Sequence, residues 1–459
     1  MKKNLWILTE ERPKREVIAY ILSRFAKDQQ FACFIDTIRI LPVLEKDKFS
    51  FLYKVEGFKC NKIENVFIKS VSGKSSFVDF LVFHQKNQPT QSDTPLYAIE
   101  ETKTDDSESR NTGVYQRASK FVFIEYYYPG IKKIMLYNLK VKQRKQTSAT
   151  YIFGTKLLLT LEVEISGKKL DEKIFTPFKS IEEIIELKAK MRSAPKGNVP
   201  IVITKKDDVI TISGRLYKSG GLAHDPNIGA LSLISGALRK LGWSGRIVIT
   251  KHLLSQGHIH STNKFIKIVR VLNLEIENLS LPAKKIKEEY WYYETKGEKL
   301  GTIFIHLVVE NFTKGSSIFE NHGGCEMGYF ITKQGAYIPL EGYSTKVTHR
   351  GGSKNKIPDL ILIDFARMQV INIEGKKYQF RKVGIKELKN FDSIEKNYIK
   401  KYYPKHKIIR TVVLYGGTAK SVVEIEVSFL LNENGDLLLG IKAPELFKDA
   451  LKNLLDFWS

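Results

Sequence analysis

Apolar residues recur along the chain with two different periods, and each period predicts a different kind of element. In residues 14–26 they return every three or four positions behind Pro13, which predicts an amphipathic helix. The segments that follow alternate or run apolar over short stretches between polar turn clusters, which is typical of strands. These predicted strands cover residues 38–44, 49–55, 65–69, 77–83 and 96–103.

A second helix is predicted after these strands. The stretch that follows residue 103 opens with candidate Asp and Ser caps and turns apolar before Pro129, where a helix would have to end. Residues 131–137 then predict another strand. The order helix, strands, helix, strand predicts a compact unit in which a mixed sheet is flanked by helices.

The rest of the chain continues in the same style. Residues 147–166 predict an apolar hairpin or strand pair, and residues 180–191 predict a helix. From about residue 301 the first pattern returns. We therefore predict an α/β (α+β) protein in which two similar cores, residues 1–140 and 296–459, are joined by a central α/β module at residues 141–295.

One short pattern occurs in both predicted cores. The first copy runs SSFVDFLVF, LYAIEETK and EYYYPGIKKIMLY, and the second runs KIPDLILID, VINIEGKK and KKYYPKHKIIRTVVLY. Asp79 precedes Glu101 by 22 positions and Asp359 precedes Glu374 by 15, because the first copy carries the polar insert HQKNQPTQSDTP between its strands. The lysine of each motif precedes the following Tyr-Pro by nearly the same distance in both copies. Such a match indicates a duplication.

The charge of the chain suggests a polyanionic partner. It has 74 Lys and Arg against 50 Asp and Glu, a formal net charge of +24. Neutralising phosphates releases condensed counterions, so this excess favours nucleic acid over the alternative of a chain that is simply basic. The three cysteines are far apart and suggest neither a disulfide framework nor a zinc knuckle. The sequence contains neither a signal peptide nor a long apolar run, which predicts a cytoplasmic protein without a membrane span.

The repeated carboxylates and lysines fit one kind of chemistry. Glu101 and Lys103 are two positions apart on a strand and project the same way, as do Glu374 and Lys376. An aspartate at the end of the neighbouring strand can meet them. Two carboxylates are hard oxygen ligands for Mg²⁺, and a nearby lysine can face a phosphate and orient water. A single such motif is weak evidence in a chain rich in Lys and Glu, but the repeat and the strand context strengthen it.

These residues resemble the PD-(D/E)XK nuclease superfamily and, within it, type II restriction endonucleases. Pro358 and Asp359 give its PD, and the run Glu374-Gly375-Lys376 gives its ExK. In the first copy Val78 stands where Pro is usual, and Glu100 competes with Glu101 as the ligand, although Glu101 has the expected offset from the lysine. The resemblance covers about 100 residues in each half and leaves the central module unassigned.

The resemblance implies an Mg²⁺-dependent endonuclease that acts on double-stranded DNA. A single, monomer-capable chain with two unlike sites implies an asymmetric target in which each site cuts one strand. The implied catalytic residues are Asp79, Glu101, Lys103, Asp359, Glu374 and Lys376, and the implied metal ligands are Asp79, Glu101, Asp359 and Glu374. The alternatives are a repair or recombination nuclease and a non-catalytic DNA-binding protein with degenerate nuclease folds.

Other polar residues are weaker candidates. Glu16, Glu310 and Glu320 precede the motifs and could add a metal ligand, although each fits a surface or capping position better. In the predicted helix of the first core, a row of polar residues could contact phosphate or form a solvated face: Arg110, Gln116, Arg117 and Lys120. His322 and the other histidines lack a metal-ligand spacing, which disfavours catalysis through histidine.

Overall fold

The fold is taken from a computed structural model of the chain. It describes residues 2–73, 77–102, 113–140, 148–191, 201–217, 225–259, 264–281, 289–322, 328–340, 356–417, 429–438 and 443–459. No helix in these ranges is both long and apolar enough to cross a membrane.

Helices and strands both occur throughout the described ranges. The helices are α1 (Arg15–Gln29), α2 (Gly113–Tyr127), α3 (Ala149–Thr160), α4 (Ile181–Lys190), α5 (Asp225–Lys240), α6 (Gln256–Ile259), α7 (Lys264–Val271), α8 (Lys299–Phe312), α9 (Arg381–Glu387), α10 (Asp392–Ile394), α11 (Lys400–Tyr402) and α12 (Glu445–Trp458). The first strands are β1 (Lys3–Thr9), β2 (Cys33–Glu45), β3 (Lys48–Cys60), β4 (Ile63–Ser72), β5 (Phe80–Gln85), β6 (Tyr97–Thr102), β7 (Lys132–Tyr137), β8 (Val163–Ser166), β9 (Val202–Lys206), β10 (Val209–Ser213) and β11 (Arg246–Thr250). The remaining strands are β12 (Glu275–Ile276), β13 (Tyr292–Tyr293), β14 (Ser316–Glu320), β15 (Tyr329–Ile331), β16 (Tyr337–Pro339), β17 (Leu360–Asp364), β18 (Gln369–Lys377), β19 (Lys407–Tyr415), β20 (Phe429–Leu431) and β21 (Leu437–Leu438).

The chain divides into two compact units. The terminal unit consists of Met1–Val71, Gln85–Gln88 and Tyr293–Ser459, and the middle unit of Ser72–His84 and Pro89–Tyr292. The predicted segments 1–140, 141–295 and 296–459 do not follow this division. Within the terminal unit the N-terminal part packs on the C-terminal part, as the contact between the rings of Phe49 and Phe304 illustrates.

The middle unit contains two groups of strands. In the first, β5 pairs antiparallel with β6, and β6, β7 and β8 are parallel. Helices α2 and α5 pack against each other. Their close contact depends on Gly236, because a Cβ there would lie 3.1 Å from Val122. The second group has the order β12-β11-β10-β9.

The terminal unit contains a six-stranded mixed sheet with the order β14-β17-β18-β19-β20-β21. Strands β14, β17 and β18 are antiparallel neighbours, whereas β18 pairs parallel with β19. Helix α8 lies against β18 and β19 and is buried along most of its length. Both units are therefore mixed α/β with helices on their sheets, which confirms the α/β part of the fold prediction.

Two expectations were wrong. Residues 149–160 form helix α3 rather than a strand, because an apolar run is compatible with a buried helix and Ser148 caps it by accepting a hydrogen bond from the Tyr151 N–H at 3.1 Å. Cys33 and Cys60 form a disulfide although they are 27 positions apart, because β2 and β3 pair antiparallel and bring the two residues into register.

Candidate active centres

The second copy of the motif lies on two adjacent strands of the terminal unit. Leu360 pairs with Ile373 across β17 and β18, which places Asp359, just before β17, beside the end of β18. Asp359 Oδ2 accepts a hydrogen bond from the Gly375 N–H at 2.7 Å. The predicted approach of Asp359 to the Glu-x-Lys strand is therefore present in the geometry.

Glu374 is the buried member of this centre, with a side chain that is 1% exposed. Its Oε1 accepts hydrogen bonds from the ammonium groups of both Lys356 and Lys376. Lys356 also donates to Glu387 of α9, and Lys376 lies 3.1 Å from the same carboxylate. Glu374 Oε2 is buried and has no hydrogen-bond partner among the described residues. We call Asp359, Glu374 and Lys376 the second centre.

Burial and proximity shift the charges of the second centre. Burial raises the pKa of Asp359, and burial together with the Asp359 charge raises the pKa of Glu374. Burial alone would lower the pKa of Lys376, but its contact with Glu374 raises it above the ordinary value. The lysine therefore stays charged, and the two carboxyl groups hold a proton more readily than exposed carboxyl groups do.

The first copy builds a similar arrangement in the middle unit. Asp79 Oδ2 accepts a hydrogen bond from the Glu101 N–H at 2.7 Å. Lys120 of α2 lies 3.4 Å from Asp79 Oδ1 and 2.8 Å from Glu100 Oε1. The Asp79 N–H also donates to Glu100 Oε2 at 3.2 Å. We call Asp79, Glu100 and Lys120 the first centre.

Strand register establishes which residues of the two centres correspond. Phe80, which follows Asp79, pairs with Ile99, just as Leu360, which follows Asp359, pairs with Ile373. Counting onward, Glu100 corresponds to Glu374. By the same register Glu101 corresponds to Gly375, and indeed both donate their N–H to the aspartate of their centre.

The side chain of Glu101 does not join Asp79 and Glu100. It points to the other face of β6, where its Oε1 accepts a hydrogen bond from the Asn138 amide at 2.9 Å. Lys103 lies outside the described residues. The position that corresponds to Lys376 is Thr102, and an ammonium group reaches the first centre from Lys120 instead.

Corresponding side chains of the two centres are exposed to solvent to similar extents. The buried glutamates, Glu100 and Glu374, are 3% and 1% exposed, whereas Lys120 and Lys376 are 20% and 17% exposed. Burial and the nearby Asp79 raise the pKa of Glu100 to about 8. Each centre thus has a buried carboxyl group and a lysine whose side chain is partly exposed to solvent.

Gly375 is required for the packing behind the second centre. A Cβ at this position would lie 2.7 Å from Thr302 Cγ2 of α8 and 3.2 Å from Asp359 Oδ2. The first contact is closer than real Cβ atoms show, so a larger residue would push the helix away from the strand. The glycine of the ExK run therefore has a steric role.

The weaker candidates from the sequence are the three upstream glutamates and the polar residues of α2. Glu310 and Glu320 form ion pairs with Arg12, and Glu16 lies in the first turn of α1. Lys120 belongs to the first centre, and Arg117 lies on the same helix. The Gln116 side chain and Arg110 lie outside the described residues.

The sequence analysis missed the contacts of Lys356 and Glu387 with the second centre. Lys356 could have been noticed as a charged residue four positions before the apolar strand β17.

The donor sets of both centres fit a divalent cation. The unpartnered, buried Oε2 of Glu374 has lost its water and gained no hydrogen bond, a cost that a bound metal would relieve. In both centres an ammonium group already lies against the buried glutamate, so the sites favour positive charge. No protein-family model, curated protein or solved structure matches the chain.

Proposed function

We propose that this protein is an Mg²⁺-dependent endonuclease that hydrolyses phosphodiester bonds of double-stranded DNA. The observation that carries the proposal is the shared geometry of the two centres, in which an aspartate accepts from the backbone N–H that follows a buried glutamate. Composition alone would not produce this relation twice. The net charge of +24 supports a polyanionic substrate.

The residues of each centre have distinct tasks in this proposal. Asp359 and Glu374, and correspondingly Asp79 and Glu100, would hold Mg²⁺. When bound, Mg²⁺ stabilises charge that develops on the phosphate and makes a coordinated water more acidic. Lys376 or Lys120 places a fixed positive charge at the solvent side of its carboxylates and would contact the scissile phosphate.

Two centres on one chain suggest a division of labour between DNA strands. We propose that each centre cuts one strand of an asymmetric site, so that a single chain makes a double-strand break, as in a type II restriction endonuclease with two nuclease cores. The centres are similar in layout but differ in the origin of the lysine, which comes from β18 in one and α2 in the other. Such unlike centres suit an asymmetric target.

Incubation of the purified protein with phage DNA, with Mg²⁺ or with a chelator, tests the proposal. We expect discrete fragments that require Mg²⁺ and are absent for a Glu100→Gln, Glu374→Gln double variant. Smears or structure-selective cuts would indicate a repair or recombination nuclease instead. Binding without cleavage by the wild-type protein would contradict the proposed activity and favour a DNA-binding scaffold.

A further inference from the structure

A cluster of two histidines and two glutamates lies in the terminal unit, apart from the residues of the second centre. Helix α8 supplies His306 and Glu310, β14 supplies Glu320 at its end, and His322 follows two residues later. His306 is fully buried. The Nδ1 atom of His306 lies 2.9 Å from Nε2 of His322 and 3.8 Å from Glu320 Oε2.

In each of the two histidines, one ring nitrogen makes a hydrogen bond to a residue other than the facing histidine. His306 Nε2 lies 3.1 Å from Glu310 Oε1, and this carboxylate is ion-paired with Arg12, so His306 must donate through Nε2. His322 Nδ1 lies 2.9 Å from Thr302 Oγ1. The Thr302 hydroxyl also lies 3.0 Å from the Lys299 carbonyl, and when its proton goes to that carbonyl, His322 donates through Nδ1.

In that arrangement two lone pairs face each other. His306 Nδ1 and His322 Nε2, which lie 2.9 Å apart, then carry no hydrogen in the neutral rings. Two acceptors at that distance repel unless a positive charge lies between them or beside both. A proton or a metal ion can supply that charge.

The surroundings favour a metal ion over a proton. The ligand atoms of His306, Glu320 and His322 all lie within 4.8 Å of one another, so a third donor converges with the two nitrogens. Each histidine is held by a hydrogen bond from its other nitrogen to a carboxylate or hydroxyl oxygen, as is usual for metal-binding imidazoles.

We propose that His306 Nδ1, His322 Nε2 and a Glu320 carboxylate oxygen bind a divalent transition-metal ion of the Zn²⁺ class. Two imidazoles and a carboxylate are typical of zinc, whereas Mg²⁺ prefers oxygen ligands and suits the proposed nuclease centres. The ion joins α8 to the end of β14. Because Thr302 contacts both His322 and the Gly375 position, this site also fixes the helix that packs behind the second centre.

Metal binding to the full-length protein tests the site without DNA. Protein stripped with a chelator is titrated with ZnCl₂ by calorimetry in excess Mg²⁺, which occupies oxygen-rich sites. We expect the wild-type protein and the Glu374→Gln variant to bind zinc alike, and His322→Gln to weaken binding at least about 100-fold. His406→Gln is the matched control, since His406 lies in the same unit and packs on Phe365 and Tyr403.

Zinc K-edge absorption of the wild-type protein with one equivalent of zinc gives a second measurement that does not depend on variants. Scattering from two imidazole rings supports the site. A first shell without imidazole, wild-type protein that takes up no zinc, or undiminished binding by a folded His322→Gln variant overturns it, and the facing nitrogens then share a proton. Because zinc uptake is measured without DNA cleavage, the result can be interpreted even if the protein proves not to be a nuclease.

Discussion

Asp359 and Gly375 are joined by a hydrogen bond of 2.7 Å from the backbone N–H of the glycine to a carboxylate oxygen of the aspartate. Asp79 and Glu101 have the same relation at the same distance. The bond fixes one oxygen of each aspartate, and the other oxygen of Asp79 lies 3.4 Å from the Lys120 ammonium group. It also defines the correspondence between the two centres more firmly than the sequence spacing does.

This correspondence predicts that Glu100, and not Glu101, acts in the first centre. Glu100→Gln removes the buried carboxylate that contacts Lys120, so cleavage at this centre should fall about 100-fold or more. Glu101→Gln is the matched control, because its side chain contacts Asn138 on the other face of β6 and should leave the rate within a few-fold of wild type. Rates of strand cleavage on a labelled duplex distinguish the two. If Glu101→Gln lowered the rate more than Glu100→Gln, the assignment of Glu101 from the sequence spacing would be correct instead.

Each single substitution should abolish cleavage of one DNA strand and leave cleavage of the other. If each centre cuts one strand, Glu100→Ala and Glu374→Ala should each convert supercoiled plasmid to open circle without making linear product, and the nicks should lie on opposite strands. Loss of one buried carboxylate leaves the other centre intact, since the two lie in different units. Sequencing of the nicked products identifies the strand. Normal double-strand breaks by either variant would show that one centre suffices.

Lys103 and Lys120 provide a further test of the first centre. Lys120 lies 2.8 Å from Glu100 and 3.4 Å from Asp79, so Lys120→Met should lower cleavage of the strand assigned to this centre. Lys103→Met tests the lysine that the spacing favours. We expect Lys120→Arg to recover part of the rate because it keeps the charge. A Lys120→Met variant with normal cleavage of both strands would remove this residue from the proposed chemistry.

The sequence was sufficient to predict that each aspartate lies beside the strand that carries the glutamate. It was also sufficient to predict that Glu374 is the glutamate beside Asp359. Asp359 precedes a strand whose apolar run is clear, and Glu374 is followed by glycine, so no neighbour competes with it. The first copy has Glu100 and Glu101 side by side. A shift of one residue moves a strand side chain to the other face of the sheet, and only the pairing of Phe80 with Ile99 decides which glutamate meets Asp79.

Residues that come from distant segments could not be found by spacing. Lys120 reaches the first centre from a helix, and Glu387 reaches the second from α9. The histidine cluster combines Arg12 with residues of α8 and of the end of β14, so its members have no regular interval. Such contacts depend on how helices pack on sheets, which local patterns do not specify.

Stability should depend on pH through Glu100. Its pKa is raised from 4.5 to about 8 by burial and by Asp79, so between these values the folded protein binds a proton that the unfolded chain releases. The free energy of unfolding should therefore decrease as pH rises from about 5 to 8, by up to about 1.4 kcal/mol per pH unit from this group. Denaturant unfolding of wild type and Glu100→Gln across this range measures the effect. The variant should have the shallower slope. Equal slopes for Glu100→Gln and wild type would contradict the raised pKa.

Gly375 and Thr302 should be energetically coupled. Gly375→Ala places a methyl group 2.7 Å from Thr302 Cγ2, and overpacking of this kind costs about 1–3 kcal/mol of unfolding free energy. Thr302→Ser removes Cγ2 and keeps the hydroxyl that contacts His322, so the double variant should recover most of the loss. Denaturant unfolding of wild type, both single variants and the double variant forms a complete cycle, in which Thr302→Ser alone is the control. Additive effects would mean that the helix and strand relax apart at this point, and that the glycine of the ExK run is dispensable for packing.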